Sequence, residues 1–299
     1  MRGRPPRLTQ RPEQGFGLLI FVVIVLAVAV ALVTGYWSTL AYQQKNAQLV
    51  QQQAYLAQAQ RSLQAYYQQN AYVLDQSGLG NVTTIGGLLA AAGVQRQYGM
   101  QAALSQVLAS PEGLSYRVVV LYLPSDTDSA NPPGLTTFGT TGAFTSCSTS
   151  GPCAPRAYVV FSSLGIERTL DKATDDLLST VAAKAQVYFS DRQRAEDPER
   201  NVYNNYFLTP YLACDATPED LDCLPNFTNL SGTDGNGNLV LTRTAVNLGL
   251  SPFETVSAWG QPIQATNENG VSPSPPYTML FRAETPAGTY LTKTAVEQL

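Results

Sequence analysis

The chain opens with one long apolar stretch and continues into an amphipathic one. Residues 16–33 read FGLLIFVVIVLAVAVALV and contain no charged side chain. A helix rises about 1.5 Å per residue, so this stretch reaches about 27 Å and is a candidate membrane span. Beyond it, apolar or aromatic residues recur at seven-residue intervals, which predicts one stripe along a continuing helix. They are Tyr42, Leu49, Leu56 and Leu63.

Nothing in the local sequence ends this helix early. Residues 36–72 contain neither proline nor glycine and are rich in Ala, Gln and Leu, which favour helix. We therefore expect a continuous helix over residues 16–72. It is either an amphipathic stalk packed on the rest of the chain, or a helix solvated first by lipid and later by similar helices. Apolar helices and acyl chains are alike in polarity, so the second use needs no change of surface.

The remainder predicts shorter, mixed elements. Helical patterns cover residues 83–93, 98–110 and 169–193, the last with Leu170, Leu177, Val181 and Tyr188 on one face. Strand patterns cover residues 115–124, 156–163, 238–246, 277–284 and 288–296. Ser251, Pro252 and Glu254 have the spacing of a capping box, which predicts a short helix beginning there.

These patterns predict an α+β fold. The outer half of the long helix is expected to lie against an antiparallel sheet of about four to six strands, with further helices inserted. A polar stretch rich in Gly, Ser, Thr and Pro separates two predicted strands within residues 124–156. The head is therefore either one elaborated domain or two that divide near this stretch.

Composition narrows the function classes. Only 13% of residues are charged, the net charge is −4, and no basic cluster follows the first residues, which argues against nucleic-acid binding. Histidine is absent, which excludes a Ser-His-Asp triad, a Cys-His pair and imidazole-ligated zinc. The glycine-rich stretches lack the strand and helix context of a phosphate loop. We expect no enzymatic activity.

Charge predicts the orientation of the apolar segment. Among residues 34–73 only Lys45 and Arg61 are basic. Four basic residues precede the segment: Arg2, Arg4, Arg7 and Arg11. The positive-inside rule therefore places the N-terminus in the cytoplasm and the rest of the chain outside. Small-residue sites within residues 27–31 keep cleavage by a signal peptidase open as an alternative.

The junction ahead of the apolar run resembles a known processing signal. A basic leader is followed by Gly15, Phe16, the apolar run and the amphipathic extension. This order resembles the class III signal of type IV pilins and type II secretion pseudopilins. The resemblance implies that a prepilin peptidase cuts after Gly15 and methylates Phe16 as the new first residue.

The same resemblance implies a division of the chain and a location. Residues 1–15 would be the leader, and residues 16–77 the long helix. Its residues 16–35 would anchor the protein in the bacterial inner membrane and later form part of a filament core. Residues 78–299 would be a periplasmic or extracellular head of pilin-like fold, with the helix packed on its sheet.

Ile20 departs from the family pattern. Most pilins carry glutamate at the fifth mature position, where this chain has Ile20. A carboxylate buried among apolar helices is costly unless it is paired. Within the family, its loss resembles the minor pseudopilin at the filament tip, which has no subunit ahead of it. The alternative is a single-pass, membrane-tethered periplasmic binding domain with no filament role.

A second, partial match lies near the C-terminus. Trp259, Gly260 and Pro262 match a Trp-Gly-x-Pro turn found in the C-terminal sheet of many pilins and pseudopilins. Ser257 and Ala258 stand where the family usually has an acidic residue and a proline. The ending TPAGTYLTKTAVEQL is also similar to the last strands of some pilin-like proteins.

The cysteines form two close pairs. In a chain exported beyond the membrane such pairs suggest disulfides, and four cysteines allow three connectivities. We expect the local pairs Cys147–Cys153 and Cys214–Cys223, each of which would pin a loop. A thiolate metal site is the rival interpretation, although the spacings differ from those of zinc knuckles. We therefore expect no metal at the cysteines.

One short segment has a calcium-loop pattern. Asp234, Asn236 and Asn238 alternate as oxygen ligands would. Leu239 stands where such a loop needs glycine, and Ala245 where it needs an acid. A Gly/Asn turn into the next strand explains the segment better. Since some pseudopilins bind calcium in C-terminal loops, the resemblance keeps calcium as a hypothesis, and we expect no other cofactor.

The resemblance implies a non-enzymatic filament subunit in a minor or tip position, acting in assembly priming or adhesion. Its partners would be other pilin or pseudopilin subunits through the N-terminal helix, the prepilin peptidase, and the inner membrane before assembly. The loops at 124–156 and 210–237 would contact further partners.

Overall fold

A computed structural model describes residues 13–76, 85–123, 157–196, 205–207, 224, 226–267 and 275–297. The chain divides into two compact units, Met1–Tyr55 and Leu56–Leu299. Four helices are described: α1 (Glu13–Asp75), α2 (Ile85–Ala91), α3 (Leu164–Glu196) and α4 (Arg243–Asn247). The first five strands are β1 (Gln101–Leu104), β2 (Leu108–Ala109), β3 (Ser115–Tyr116), β4 (Val118–Leu123) and β5 (Ala157–Ser162). The others are β6 (Thr228–Asn229), β7 (Ser231–Thr233), β8 (Leu239–Leu241), β9 (Gln264–Thr266), β10 (Thr278–Glu284) and β11 (Tyr290–Val296).

The first unit contains the first part of α1, and the predicted long helix is confirmed. Near its end α1 is kinked at Asn70, whose φ of −124° and ψ of 17° are not helical, so the helix expected to be continuous over residues 16–72 is interrupted there. The apolar side chains of residues 19–33 are exposed in this unit. The helix-favouring residues that follow the apolar run therefore continue α1 well beyond residue 33.

In the second unit the remainder of α1 is buried along one side. Leu56 and Leu63, from the seven-residue stripe, are almost fully buried, and so is Tyr67 one turn further on. The Tyr67 ring meets Phe161 of β5 edge to face, with 6.0 Å between ring centroids. The stripe predicted from spacing is thus used for packing in this part of the helix.

The second unit contains two main antiparallel sheets in place of the single sheet expected. One has the strand order β1-β4-β5 and the other β11-β10-β9-β6. Strand β4 lies in the centre of the first sheet, and all six of its residues are buried. The pairs β2–β3 and β7–β8 form two further small ribbons. The α+β class and the antiparallel pairing are therefore confirmed.

Helix α3 packs on the four-stranded sheet. Its inward side chains join those of the sheet in one core that includes Val181, Phe189, Ile263 and Phe281. Of the face predicted from spacing, Leu170 and Val181 are buried, and Leu177 and Tyr188 pack at the core's edge. The amphipathic pattern is confirmed, because one face of a surface helix must be covered.

The helix predicted for residues 98–110 is wrong. Tyr98 and Gly99 adopt positive φ values of 55° and 69°, which turns the chain into β1. Strand β1 then pairs with β4, Gln101 opposite Tyr122 and Leu104 opposite Val119. The helix-favouring composition is overridden by pairing with β4, which lies outside this segment, so local propensity does not register it.

The strand predicted for residues 238–246 ends early. Strand β8 stops before Thr242, whose hydroxyl accepts a hydrogen bond from the Ala245 amide at 3.3 Å and caps α4. A threonine cap is worth about 1 kcal/mol, enough to end a short strand. The short helix expected at Ser251 is a 3₁₀ helix, Pro252–Thr255, and Ser251 N donates to Glu254 Oε2 at 2.7 Å.

Candidate functional sites

The exposed apolar surface of α1 is the first candidate site. Within the described residues α1 alone has the length and apolar composition to cross a membrane, and its apolar window is not buried against the chain. Gly15 and Phe16 lie in its first turns. The side chain at the departing position, Ile20, is 44% exposed and carries no charge. The apolar side chains of this surface are therefore not covered by other residues of the first unit.

Hydroxyl side chains just beyond the apolar run are satisfied within the helix. Thr34 Oγ1 donates to Val30 O at 2.9 Å, Ser38 Oγ to Gly35 O at 2.8 Å, and Thr39 Oγ1 to Tyr36 O at 2.8 Å. Because these donors use backbone carbonyls of the preceding turn, they need no water. The end of the apolar segment thus remains compatible with a non-aqueous environment.

The Trp-Gly-x-Pro segment forms a tight turn. Gly260 has φ +79°, and its amide donates to Ser257 O at 2.8 Å. Ser257 N donates to Gln261 O at 2.7 Å, and Ser257 Oγ accepts from Gln261 N at 3.1 Å. Ser257, which stands where the Trp-Gly-x-Pro pattern usually has an acidic residue, thus closes the turn with its backbone and its hydroxyl. The turn is held on α3 by Ala258 N, which donates to Thr174 Oγ1 at 3.1 Å.

A buried cluster of polar side chains lies beneath this turn, and we call it the carboxyl cluster. It consists of Tyr67, Asp75, Arg117, Ser163, Glu167 and Trp259, none of them more than 6% exposed. It joins the end of α1, the link between β3 and β4, the start of α3, and the Trp259 turn. No single stretch of sequence contains it.

Asp75, the last residue of α1, accepts hydrogen bonds on both carboxylate oxygens. Tyr67 OH donates to Oδ1, and Ser163 Oγ donates to Oδ2 at 2.7 Å. Burial raises the pKa of Asp75 to about 6, although the Tyr67 and Ser163 hydrogen bonds and the Arg117 charge act to lower it. Burial and the neighbouring Asp75 also raise the pKa of Tyr67, which keeps that hydroxyl protonated.

Arg117 supplies the positive charge of the carboxyl cluster. Its Nε donates to Leu74 O at 2.7 Å, and Nη1 donates to Ser105 O at 2.9 Å. The first bond reaches a carbonyl in the last turn of α1, where the helix dipole favours a cation. The backbone of Arg117 also exchanges bonds with Ser163: its N donates to Ser163 Oγ at 2.8 Å, and its O accepts from Ser163 N at 2.9 Å.

Glu167, in the first turn of α3, is fully buried. Its Oε2 accepts from Trp259 Nε1 at 2.9 Å, whereas its buried Oε1 receives no N–H or O–H from the described residues. Burial, and then the charge of Asp75, raise the pKa of Glu167 to about 8. Burial therefore favours the neutral form of this carboxyl, unlike that of an ordinary surface glutamate.

The side chains of the carboxyl cluster bond to one another and are buried, so they are not accessible to a substrate. Perturbed carboxyls often mark catalytic sites, but there they open into a cleft. Here the side chains are enclosed and bonded to one another. Of these residues sequence reasoning singled out only Trp259, and for its turn alone. One further signal was present: Arg117 interrupts the otherwise apolar strand pattern of residues 115–124.

The predicted calcium segment forms the turn of the β7–β8 hairpin. Asp234 Oδ1 accepts from the amides of Asn236 and Asn238 at 2.9 and 2.8 Å, and Oδ2 accepts from Asn238 Nδ2 at 3.1 Å. The Asn238 side chain, first among these bonds, lowers the pKa of Asp234. The carboxylate is thus occupied in closing the turn. Among the described residues no group of three or more acidic, His or Cys side chains forms a metal site; calcium stays a prediction.

The four cysteines lie outside the described residues, as does most of both predicted partner loops. Cys147 and Cys153 fall within residues 124–156, and Cys214 and Cys223 within residues 208–223. The two disulfides therefore stay predictions. Of the loop at 210–237, the structure describes residues 224 and 226–237.

An open groove runs along the second half of α3. It has a volume of about 530 Å³ and is lined by α3 and by the turn after α4. Its cations have partners on the chain: Lys184 Nζ bonds Glu254 Oε1 at 2.7 Å, and Arg192 Nη1 bonds Tyr206 O at 3.1 Å. These bonds explain the positions of both side chains without a ligand.

Comparison with known proteins adds no further assignment, since no family, no curated protein and no solved structure matches the chain. The assignments above therefore rest on the residues and their geometry.

Proposed function

We propose that the chain is a non-enzymatic, pilin-like subunit of a type IV pilus-like filament or a type II secretion pseudopilus, in a minor or tip position. One observation carries the proposal. The Gly15–Phe16 junction lies in the first turns of a helix that presents an exposed apolar surface and continues as α1 to Asp75. A filament subunit needs these two features together, a processing site and a long helix attached to a head.

The exposed surface of α1 requires a covering environment. Large apolar side chains such as Phe21, Leu26 and Leu32 are 67%, 62% and 69% exposed in the first unit. An apolar surface of this extent in water would cause aggregation, so it implies a membrane or protein partner. In the proposal, the bacterial inner membrane covers it first, in a single pass with the N-terminus inside. Helices of neighbouring subunits cover it after assembly.

The position of Ile20 supports a minor or tip role. With 44% exposure and no charge, this side chain offers nothing that would pair with the terminal amine of a neighbouring subunit. A subunit at the tip has no neighbour ahead of it and does not need that pair. The head would then be displayed outward, where adhesion or the priming of assembly is its function.

The first test is the N-terminal residue of the full-length protein, extracted from membranes of cells that contain a prepilin peptidase. Intact mass and peptide sequencing should find Phe16 as the first residue, carrying one additional methyl group. Gly15→Leu should retain Met1, because the cut follows a small residue in the family that this junction resembles. Gly17→Leu is the matched control and should still be processed at Phe16. A native chain that retains Met1 would exclude prepilin processing.

A membrane-tethered binding domain is the second candidate, and Ile20 favours it because the substitution also removes the pairing charge that most pilins carry. A photoreactive residue placed at Val25 distinguishes the two. A filament subunit should cross-link there to other pilin-like subunits in assembled material. A tethered domain should give lipid adducts alone. The same probe at Val73, outside the apolar run, reports background cross-linking.

A further inference from the structure

We propose that Asp75 and Glu167 share a single proton, and that this proton acts as a pH-sensitive lock between the end of α1 and the start of α3. The lock is a property of the unit Leu56–Leu299, and it does not depend on the filament proposal. It assigns a role to the carboxyl cluster that the packing of apolar side chains does not supply.

The hydrogen-bond donors around the pair define where the proton must be. Tyr67 and Ser163 already donate to Asp75, and Trp259 donates to Glu167 Oε2. Glu167 Oε1 is buried and receives no donor from the described residues. A buried acceptor without a donor is destabilising, so the ionised form of Glu167 is disfavoured at this position.

Protonation of Glu167 would give its Oε1 atom a hydrogen-bond partner. A protonated carboxyl becomes a donor and requires an acceptor nearby. Asp75 is the acceptor beside it, because both residues are held at Ser163: Ser163 Oγ donates to Asp75 Oδ2 at 2.7 Å, and Ser163 O accepts from Glu167 N at 2.9 Å. The two carboxyls also influence each other's pKa. The proton on Glu167 then bonds to Asp75, so two carboxyl groups that would otherwise repel each other hold together.

The fully buried charges around the pair balance when the pair holds one proton. Arg117, between β3 and β4, supplies a positive charge. Tyr67 of α1 stays neutral. Asp171, one turn further along α3, also acts on Glu167, and its own pKa is raised by burial. The Trp259 turn contributes a neutral N–H. Asp171 is only partly buried, and the fully buried groups alone, one guanidinium, one carboxylate and one protonated carboxyl, give a neutral centre, which costs least to bury.

The pH range of the lock follows from the two carboxyls. Their pKa values are raised to about 6 for Asp75 and about 8 for Glu167, and because the groups interact these two steps belong to the pair. Between them the pair holds one proton, and above the higher step it holds none. Because both values lie above those of an unfolded chain, the folded state binds the extra proton, and stability falls as pH rises through this range.

The decisive measurement is the pH dependence of urea unfolding for the full chain in detergent micelles. One extra bound proton makes the unfolding equilibrium constant rise about tenfold per pH unit between the two steps. Glu167→Gln should abolish most of that slope, because its amide donates to Asp75 and accepts from Trp259 but does not titrate. A Gln variant that retains the native slope would overturn the proposal.

Glu112→Gln provides the matched control. Glu112 is an exposed carboxyl that accepts from Arg168 Nη2 at 2.7 Å, and its hydrogen bonds lower its pKa. It stays ionised throughout the range of the lock, so its removal should leave the slope unchanged. If this control flattened the slope as Glu167→Gln does, the dependence would not belong to the carboxyl cluster and the lock would be rejected.

A second readout needs no variant. The indole N–H of Trp259 donates to Glu167, so its proton and nitrogen resonances should shift as the pair loses its last proton near pH 8. Trp37, exposed in the first unit, should show no such step and serves as the internal reference. A Trp259 signal that stays constant across the range would contradict the shared proton, whatever the folding of the variants.

Discussion

Arg117 shows at the residue scale how the second unit tolerates a charge in its interior. The side chain is 3% exposed, and a buried guanidinium without partners would be strongly destabilising. Its bonds to Leu74 O and Ser105 O tie it to two segments, and the nearby Asp75 supplies the opposite charge. Such a group adds little net stability, but it specifies which segments may meet. The end of α1 is thereby fixed against β4.

We expect Tyr67→Phe to reveal the dependence of Asp75 on its donors. The variant keeps the ring that packs on Phe161 and removes only the hydroxyl bonded to Asp75 Oδ1. A buried carboxylate oxygen then lacks a donor, at a cost of about 1–3 kcal/mol in the free energy of unfolding. Because that bond lowers the pKa of Asp75, the pKa should rise further in the variant.

Urea unfolding of the full chain in detergent measures the loss, and Tyr66→Phe is the control on the neighbouring residue. Tyr66 is half-buried, and its change should stay within about 0.5 kcal/mol. Equal losses at both positions would mean that the Asp75 bond contributes nothing specific.

At the scale of elements, the Trp259 turn connects a local conformation to packing. The positive φ of Gly260 lets the chain reverse within four residues, so that Val256 and Pro262 face each other across the turn. This reversal directs the Trp259 indole into the carboxyl cluster. The turn therefore acts as a clasp on the first half of α3.

Gly260→Ala should strain this clasp through the backbone alone. A Cβ at Gly260 would meet no atom within 4 Å, so no steric clash complicates the result. The left-handed conformation costs a residue with a Cβ about 1–2 kcal/mol, and we expect a loss of that size on thermal or urea unfolding. Gly235→Ala, which also meets nothing within 4 Å and lies outside the positive-φ region, should change little. A neutral Gly260→Ala would show that the turn adopts another conformation.

Sequence patterns predicted best those elements in which the apolar spacing repeats over many residues. Helices α1 and α3 and strands β10 and β11 each repeat their apolar spacing over several turns or residues, so local sequence suffices. Residues 98–110 and 242–247 failed for different reasons. The first segment has helix-favouring composition but completes a sheet with β4. The second contains a cap, Thr242, inside what looks like alternation.

At the scale of the whole molecule, the start of the second unit marks where the part of the chain that shares one core begins. This unit begins at Leu56, inside α1, and contains the core of α3 with the four-stranded sheet as well as the carboxyl cluster. The last part of α1 contributes Leu56, Leu63 and Tyr67 to the interior. A head cut at the end of the helix would lose them together with Asp75.

We therefore expect the fragment 56–299 to fold cooperatively and the fragment 78–299 to fail. Each large buried side chain stabilises by about 1.5–3 kcal/mol, and the three together approach the total stability of about 5–15 kcal/mol of a typical domain. Loss of Asp75 would also leave the Arg117 charge buried without its partner. Circular dichroism during thermal unfolding should show a sharp transition for the first fragment and none for the second. A cooperative 78–299 fragment would contradict this boundary.

The sequence by itself determined the long helix, its apolar run, the α+β class and the strands nearest the C-terminus. These features depend on the spacing and composition of residues within one segment, so they can be recognised without knowing what the segment packs against. Only the tertiary structure decided that the strands form two sheets, that residues 101–104 are a strand, and that Asp75, Arg117, Glu167 and Trp259 meet. A buried charge is recognisable in sequence only by the apolar residues around it. Its partners come from elements that chain order separates, and their contact depends on how those elements pack.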